Sequence, residues 1–300
     1  MDVMTPEHRS GFACFVGRPN AGKTTLTNAL VGSKVGITSS KPQTTRHAIR
    51  GVVHRPDAQL VLVDTPGLHK PRTLLGRRLN DIVRTTWAQV DVVGLCIPAD
   101  QPVGPGDRYI AAELTRLQTP LIAVLTKSDL ARRDTLAEQL LATSKLADFA
   151  EIIPVSAVSG DQVDVLTDLL LQRLPPGPPL YPDGELTDEP EQVLVAELIR
   201  EAALEGVRDE LPHSLAVTVE EMAVREGRDD LVDVHALVYV ERPSQKGIVL
   251  GKNGARIKEV GTTARHQIEA LLGTRVYLDL HVKVLPGWQN DPKKLGRLGF

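Results

Sequence analysis

The chain has 300 residues, of which 42% are hydrophobic, 24% charged and 3% aromatic, with a formal net charge of −3 at pH 7. That length admits two domains that each bury a core. The scarcity of aromatic residues means those cores must be built from Val, Leu, Ile and Ala. The longest apolar runs, such as Leu121 to Leu125 and Leu60 to Val63, are far shorter than the roughly 20 residues that span a bilayer. The opening MDVMTPEHRS has no apolar stretch to direct export, so the cytoplasm is the expected compartment. Cys14 and Cys96 each stand alone in an apolar run, outside any CxxC pair, and read as small core residues; the eight histidines show no metal-ligand spacing.

Short β-branched runs alternate with stretches of helical period up to about Leu174, the rhythm of an α/β domain with a mainly parallel sheet. The expected strands are Phe12–Val16, Ala48–His54, Gln59–Val63, Asp91–Ile97, Leu121–Leu125 and Ile152–Val155, six in one sheet. PPGPPLYPDGELTDEP follows, too rich in proline and glycine for a helix or an inner strand. The expected division is therefore a domain over residues 1–174, a linker over 175–190 and a second domain over 191–300. The second should run helix (Val193–Leu204), strand (Leu215–Val224), strand (Val232–Val240), two helices and a last strand (Arg275–Val284), an α-β-β-α-α-β order. Its charge is divided, with 4 Lys+Arg against 13 Asp+Glu in residues 191–241 and 11 against 4 in residues 242–300. A basic half of this kind is either a solvated face or the electrostatic footprint of a nucleic-acid contact.

Gly17-Arg18-Pro19-Asn20-Ala21-Gly22-Lys23-Thr24 matches GxxxxGK[ST], directly after an apolar strand and before the helical run LTNAL, with Thr25 a further candidate phosphate contact. Glycines at the two fixed positions let successive backbone N–H groups face phosphate oxygens, and the helix that follows adds the positive end of its dipole. Lys23 is placed to reach the β- and γ-phosphates and the Thr24 hydroxyl to meet Mg²⁺. This motif alone does not separate ATP from GTP, or a kinase from a hydrolase. Asp64-Thr65-Pro66-Gly67 ends the strand QLVLVDTPG, where the carboxylate can hold Mg²⁺ through a water and the Gly67 N–H can meet the γ-phosphate; read structurally, DTPG is also a good turn.

Thr126-Lys127-Ser128-Asp129 ends a further strand and Ser156-Ala157 another. In this order and spacing they resemble the base-specificity elements of the GTPase superfamily. That resemblance implies that Asp129 accepts the N1–H and exocyclic N–H of guanine, while the Ala157 N–H meets guanine O6. Thr126 departs from it, since the family more often carries Asn there to brace the loop. The polar stretch SSKPQTTRHAIRG resembles the first switch of the bacterial Era-type GTPases, with Thr45 as Mg²⁺ ligand and Thr44 as the near alternative. Leu68 stands where Ras-like proteins carry a water-orienting Gln. Asn20 is either a loop-bracing amide or, by the same resemblance, the residue that holds a K⁺ ion in place of an arginine finger.

In the second domain Gly251-Lys252-Asn253-Gly254 lies between two helical stretches, with Ile248 and Ile257 among the flanking aliphatics. GxxG in this setting resembles the RNA-backbone loop of a KH domain, here of type II. One nucleotide domain, a proline-rich linker and a C-terminal KH domain together resemble the Era family across essentially the whole chain; a family with two GTPase domains is excluded by the single phosphate loop. The resemblance implies a slow, Mg²⁺-dependent GTP hydrolase, stimulated by K⁺, that cycles between GTP and GDP. It further implies binding to the 3′ end of 16S rRNA, action in 16S rRNA processing and 30S subunit assembly, peripheral association with the inner face of the membrane, and a monomer.

Overall fold

The computed structural model describes residues 8–39, 44–207 and 211–300. The opening stretch 1–7, read above for export, and residues 40–43 of the first-switch stretch lie outside the described residues. The chain divides into two units. One comprises Met1–Gly36, Thr45–Pro71 and Gly76–Asp188; the other comprises Ile37–Thr44, Arg72–Leu75 and Glu189–Phe300.

Among the described residues of the first unit, six strands form one sheet: β1 (Arg9–Gly17), β2 (Ile49–Arg55), β3 (Ala58–Asp64), β4 (Val92–Pro98), β5 (Leu121–Thr126) and β6 (Glu151–Val155). Their order is β2-β3-β1-β4-β5-β6, parallel except for β2, which pairs antiparallel with β3. Every residue of β3, β4 and β5 is buried, as expected of strands covered on both faces. The two-residue period of β1 sorts its side chains into two cores. Ala13 and Phe15 join one with Leu26 and Leu30 of α1 (Lys23–Val31), while Cys14 and Val16 join the other. The second core also takes Val83 and Trp87 of α2 (Leu74–Trp87) and Ile110 and Leu114 of α3 (Pro105–Leu114). The unit is completed by α4 (Arg133–Thr143) and α5 (Val163–Leu171). Both cysteines are buried free thiols, as read, and burial raises both, Cys96 to about 12.

The proline-rich stretch forms no helix or long strand, but it is laid against the first unit. Leu180 N–H and Tyr181 N–H donate to Gln59 Oε1 at 2.6 and 2.9 Å, the His54 ring bonds the Glu185 carbonyl at 2.8 Å, and Val52 N–H donates to the Leu186 carbonyl at 2.9 Å. It runs along β2, the edge strand of the sheet.

The second unit contains α6 (Glu191–Leu204), α7 (Leu211–Ser214), β7 (Ala216–Arg225), β8 (Arg228–Val240), α8 (Pro243–Leu250), α9 (Ala255–Leu272), β9 (Arg275–Val284) and α10 (Pro292–Arg297). Its sheet runs β7-β8-β9, with β7 and β8 antiparallel and β8 and β9 parallel. Ile199 and Ala202 of α6, Ala264 and Ile268 of α9, and Val234, Ala236 and Val238 of β8 share its core. β8 begins four residues before the expected Val232. Arg228 pairs with Arg225 across a turn at Gly227, and the register then shifts to Val224–Val232, so the polar run RDDL joins the strand as an irregularity that lacks apolar alternation. The overall class is the expected one, an α/β unit on a six-stranded, mainly parallel sheet followed by an α+β unit in the expected α-β-β-α-α-β order, to which the short α7 and α10 are added.

Candidate functional site

The order of the first sheet reverses at β1, whose neighbours are β3 and β4, and ligands bind beyond the carboxyl ends of strands at such a point. Those ends carry the motifs. β1 runs into Gly17, β3 ends at Asp64, β5 at Thr126 and β6 at Val155.

Lys23 opens α1 and is buried. Its Nζ donates to the carbonyls of Gly17 and Arg18 at 3.2 and 3.0 Å, so the phosphate loop wraps around its own ammonium group. The first N–H groups of α1 have no acceptor within the helix and are left for an anion. Asn20, at the exposed crest of the loop, has φ of 62°. The DTPG loop passes so close that a Cβ at Gly67 would lie 2.9 Å from Pro19 N, which explains glycine there. Thr65 Oγ1 donates to the Phe15 carbonyl at 3.2 Å and ties β3 to β1.

Thr24, Thr45 and Asp64 converge. Thr24 Oγ1 lies 2.6 Å from Asp64 Oδ2 and 2.9 Å from Thr45 Oγ1, and Thr45 Oγ1 lies 3.3 Å from the same carboxylate oxygen. Asp64 is fully buried, and its Oδ1 has no hydrogen-bond partner among the described residues. Hydroxyl and carboxylate oxygens with one buried oxygen unspent are the donor set that suits Mg²⁺. Burial pushes the Asp64 carboxyl up to about 6, against the opposing effects of the Thr24 hydrogen bond and the Lys23 charge. Burial likewise lowers the Lys23 ammonium from its ordinary range, while Asp64 works the other way.

The base-specificity elements line a cleft of about 170 Å³. Lys127 takes up φ of 57°, which swings the Ser128–Leu130 turn outward and leaves Asp129 exposed at the mouth. The Ser156 hydroxyl accepts the Ser159 N–H at 3.1 Å and shapes the loop carrying Ala157. Thr126 Oγ1 donates to the Ala21 carbonyl at 2.7 Å, so the threonine that departs from the usual Asn still braces this strand end against the phosphate loop.

Several contributors escaped the sequence reading. Leu130 and Val158, 64% and 83% exposed, flank the cleft as apolar walls. Asn28 receives the Val35 and Gly36 N–H groups at 3.0 and 2.9 Å and holds that loop beside Thr24. These residues belong to no motif, and only the folded loops show what they touch. The Leu68 side chain is buried in the core and can offer a ligand only its backbone.

In the second unit the GxxG loop joins α8 to α9. Gly251 has φ of 71°, and a Cβ there would stand 3.0 Å from Arg256 N, so glycine is required. Lys252 and Asn253 are exposed, and Asn253 takes the left-handed region at φ of 53°. Ile248 is 54% exposed, whereas Ile257 is half-buried against the core. Arg256, one of the basic residues of this half, donates to the carbonyls of Ala203 and Glu205 at the end of α6.

A family model described as "50S ribosome-binding GTPase" matches residues 12–127, and a KH domain model matches residues 210–289. The chain is 69% identical to GTPase Era of Mycobacterium avium (strain 104), across 98% of this chain and 99% of that protein. It is 68% identical to GTPase Era of Streptomyces coelicolor, across 98% and 95%. It is similar to the crystal structure of an Aquifex aeolicus Era variant bound to GDP and AlF4−, at TM-score 0.93, 35% identity and coverage of 97% and 99%. It is equally similar, at TM-score 0.94, 35% identity and the same coverage, to Era in complex with MgGDPNP and nucleotides 1506–1542 of 16S ribosomal RNA.

The raised Asp64 value predicts a stability effect. In the folded chain without nucleotide the carboxyl titrates near 6, above the unfolded value of about 3.9. Its ionised form therefore costs stability above pH 6, and the cost fades as pH falls toward 4. Asp64→Asn should stabilise the nucleotide-free protein by about 2–3 kcal/mol at pH 7.5, with the gain largely lost at pH 4.5. Urea unfolding of both proteins at the two pH values checks this, and equal stabilities at pH 7.5 would refute it.

Proposed function

The chain belongs to the GTPase Era family, and from that premise we propose that it binds and hydrolyses GTP in its first unit and binds the 3′ end of 16S rRNA through its second, in the service of 16S rRNA processing and 30S subunit assembly. The observation that carries the reading is the meeting of the Thr24, Thr45 and Asp64 oxygens at the same sheet edge as the Asp129 cleft. A solved relative that holds MgGDPNP and a 16S rRNA fragment supports both halves.

In this reading the backbone from Gly17 to Thr25 and from Asp64 to Leu68 cradles the phosphates, and Lys23 adds charge to the β- and γ-phosphates. Thr24 and Thr45, with Asp64 through a water, hold Mg²⁺, which neutralises charge on the transferred phosphoryl group. Lys127, Asp129 and the Ala157 N–H read guanine, while Thr126, Ser128 and Ser156 shape the loops. Leu68 is buried and Arg18 is engaged by Asp107, so neither supplies a water-orienting or finger group. K⁺ held by Asn20 would supply positive charge in that role. Gly251 and Gly254 let the RNA backbone approach, Lys252 and Asn253 contact it, and Ile248 and Ile257 border the bases. The protein acts as a monomer in the cytoplasm and touches the inner face of the membrane peripherally. Among the described residues, no helix is long and apolar enough to cross a membrane.

Three experiments test these assignments. Asp129→Asn removes the acceptor of two charge-assisted hydrogen bonds and should weaken GTP binding by about a hundredfold or more while admitting xanthosine triphosphate; unchanged GTP affinity would sink the guanine assignment. Hydrolysis should run faster in K⁺ than in Na⁺ at equal ionic strength, and Asn20→Ala should abolish the difference. Equal rates in both salts would leave Asn20 as a bracing amide. Lys252→Asp with Asn253→Asp sets two negative charges beside RNA phosphates without disturbing the glycines. In a mobility-shift assay it should lose about tenfold or more in affinity for single-stranded RNA from the 3′ end of 16S rRNA, with GTP binding intact. Retained RNA binding by the folded variant would make GxxG a turn alone.

A further inference from the structure

Arg18, the second residue of the phosphate loop, is tied to a helix that the motif does not include. Its Nε donates to Asp107 Oδ1 at 2.8 Å. Asp107 is fully buried in the first turn of α3, where its Oδ2 accepts the Gly104 N–H at 2.8 Å. The arginine lies so close along α3 that a Cβ on Gly106 would come within 2.9 Å of Arg18 Cδ. On its backbone side, the Arg18 carbonyl accepts from Lys23 Nζ at 3.0 Å and from Ala21 N–H at 3.2 Å. A continuous link thus runs from a buried carboxylate on α3, through one arginine, to the ammonium group of the phosphate loop. The x positions of GxxxxGK[ST] specify none of it.

We propose that Asp107 is a positioning residue for the phosphate loop. Acting through Arg18, it fixes the carbonyl that holds Lys23, and so sets the affinity for nucleotide phosphates without touching them. This inference rests on the nucleotide-site reading above. A buried carboxylate is costly unless its oxygens are used. Asp107 spends one on the helix cap and one on Arg18, so the two duties can be separated by substitution.

The test uses the full chain. Asp107→Asn keeps an oxygen for the Gly104 N–H but removes the charge that holds Arg18. Arg18→Met keeps side-chain length and removes the donor. Gly106→Ala adds a methyl group where Arg18 lies, yet favours the helix itself. Each variant is titrated with a fluorescent N-methylanthraniloyl GDP, and its thermal midpoint is measured without nucleotide. Affinity should fall about tenfold in all three, and the Asp107→Asn, Arg18→Met double variant should be no weaker than the weaker single variant. Arg18→Lys, which can still pair with Asp107, should recover most of the loss. A residue that serves stability alone would lower the midpoint and leave affinity unchanged. Wild-type affinity in folded Asp107→Asn and Gly106→Ala, or additive losses in the double variant, would overturn the proposal. Failure of the unsubstituted chain to bind GDP would instead overturn the nucleotide-site reading, so the two failures are distinguishable.

Discussion

Two opposite charges are buried at one end of the six-stranded sheet, and the local architecture follows from the need to satisfy them. Lys23 is enclosed by the carbonyls of its own loop, while Asp64 is met by two hydroxyls and keeps one oxygen unspent. Water would solvate both groups better, which is why burial moves each toward its neutral form. In the proposed reading, a polyanion with a divalent cation would supply what the protein withholds, positive charge beside the carboxylate and negative charge beside the ammonium. The site is preorganised for a charged ligand at the cost of its own stability.

Backbone strain is concentrated in the same way. Among the described residues, the non-glycine positions at positive φ are Asn20, Lys127, Gln162 and Asn253. Three of them lie in the phosphate loop, the base loop and the GxxG loop. A side chain in the left-handed region costs energy that ordinary turns avoid by using glycine. Each of these loops instead presents a polar or charged side chain at its crest.

Much of this was legible in the sequence because it is local. The buried strands read as apolar runs, and the motifs as fixed spacings at their ends. The β9 limits, Arg275 and Val284, coincide with the expected ones because a single alternating run is bounded by Gly273-Thr274 and by Leu285-Pro286. What escaped is non-local or weakly periodic. The Thr126 brace on Ala21 spans 105 positions and the Arg18 pair with Asp107 spans 89, distances over which a single sequence carries no pattern. The short helix α10 left a signal that went unread. Asp291 precedes Pro292, and its side chain accepts the N–H groups of Lys293 and Lys294, a capping arrangement recognisable from the residue types alone. α7, four residues with proline at its second position, left none.

The proline-rich stretch laid along β2 bears on a hazard common to open sheets. An edge strand with unpaired N–H and C=O groups is a template on which another chain can add a strand. Here the Leu186 carbonyl takes the Val52 N–H, the Glu185 carbonyl meets the His54 ring and Asp188 accepts from Arg50, so an irregular segment occupies part of that margin. A covering of this kind ends the sheet rather than extending it, since residues 183–188 form no strand and meet β2 through single bonds, not a regular ladder. The same residues that carry the chain out of its first unit thus hinder strand addition at its β2 margin.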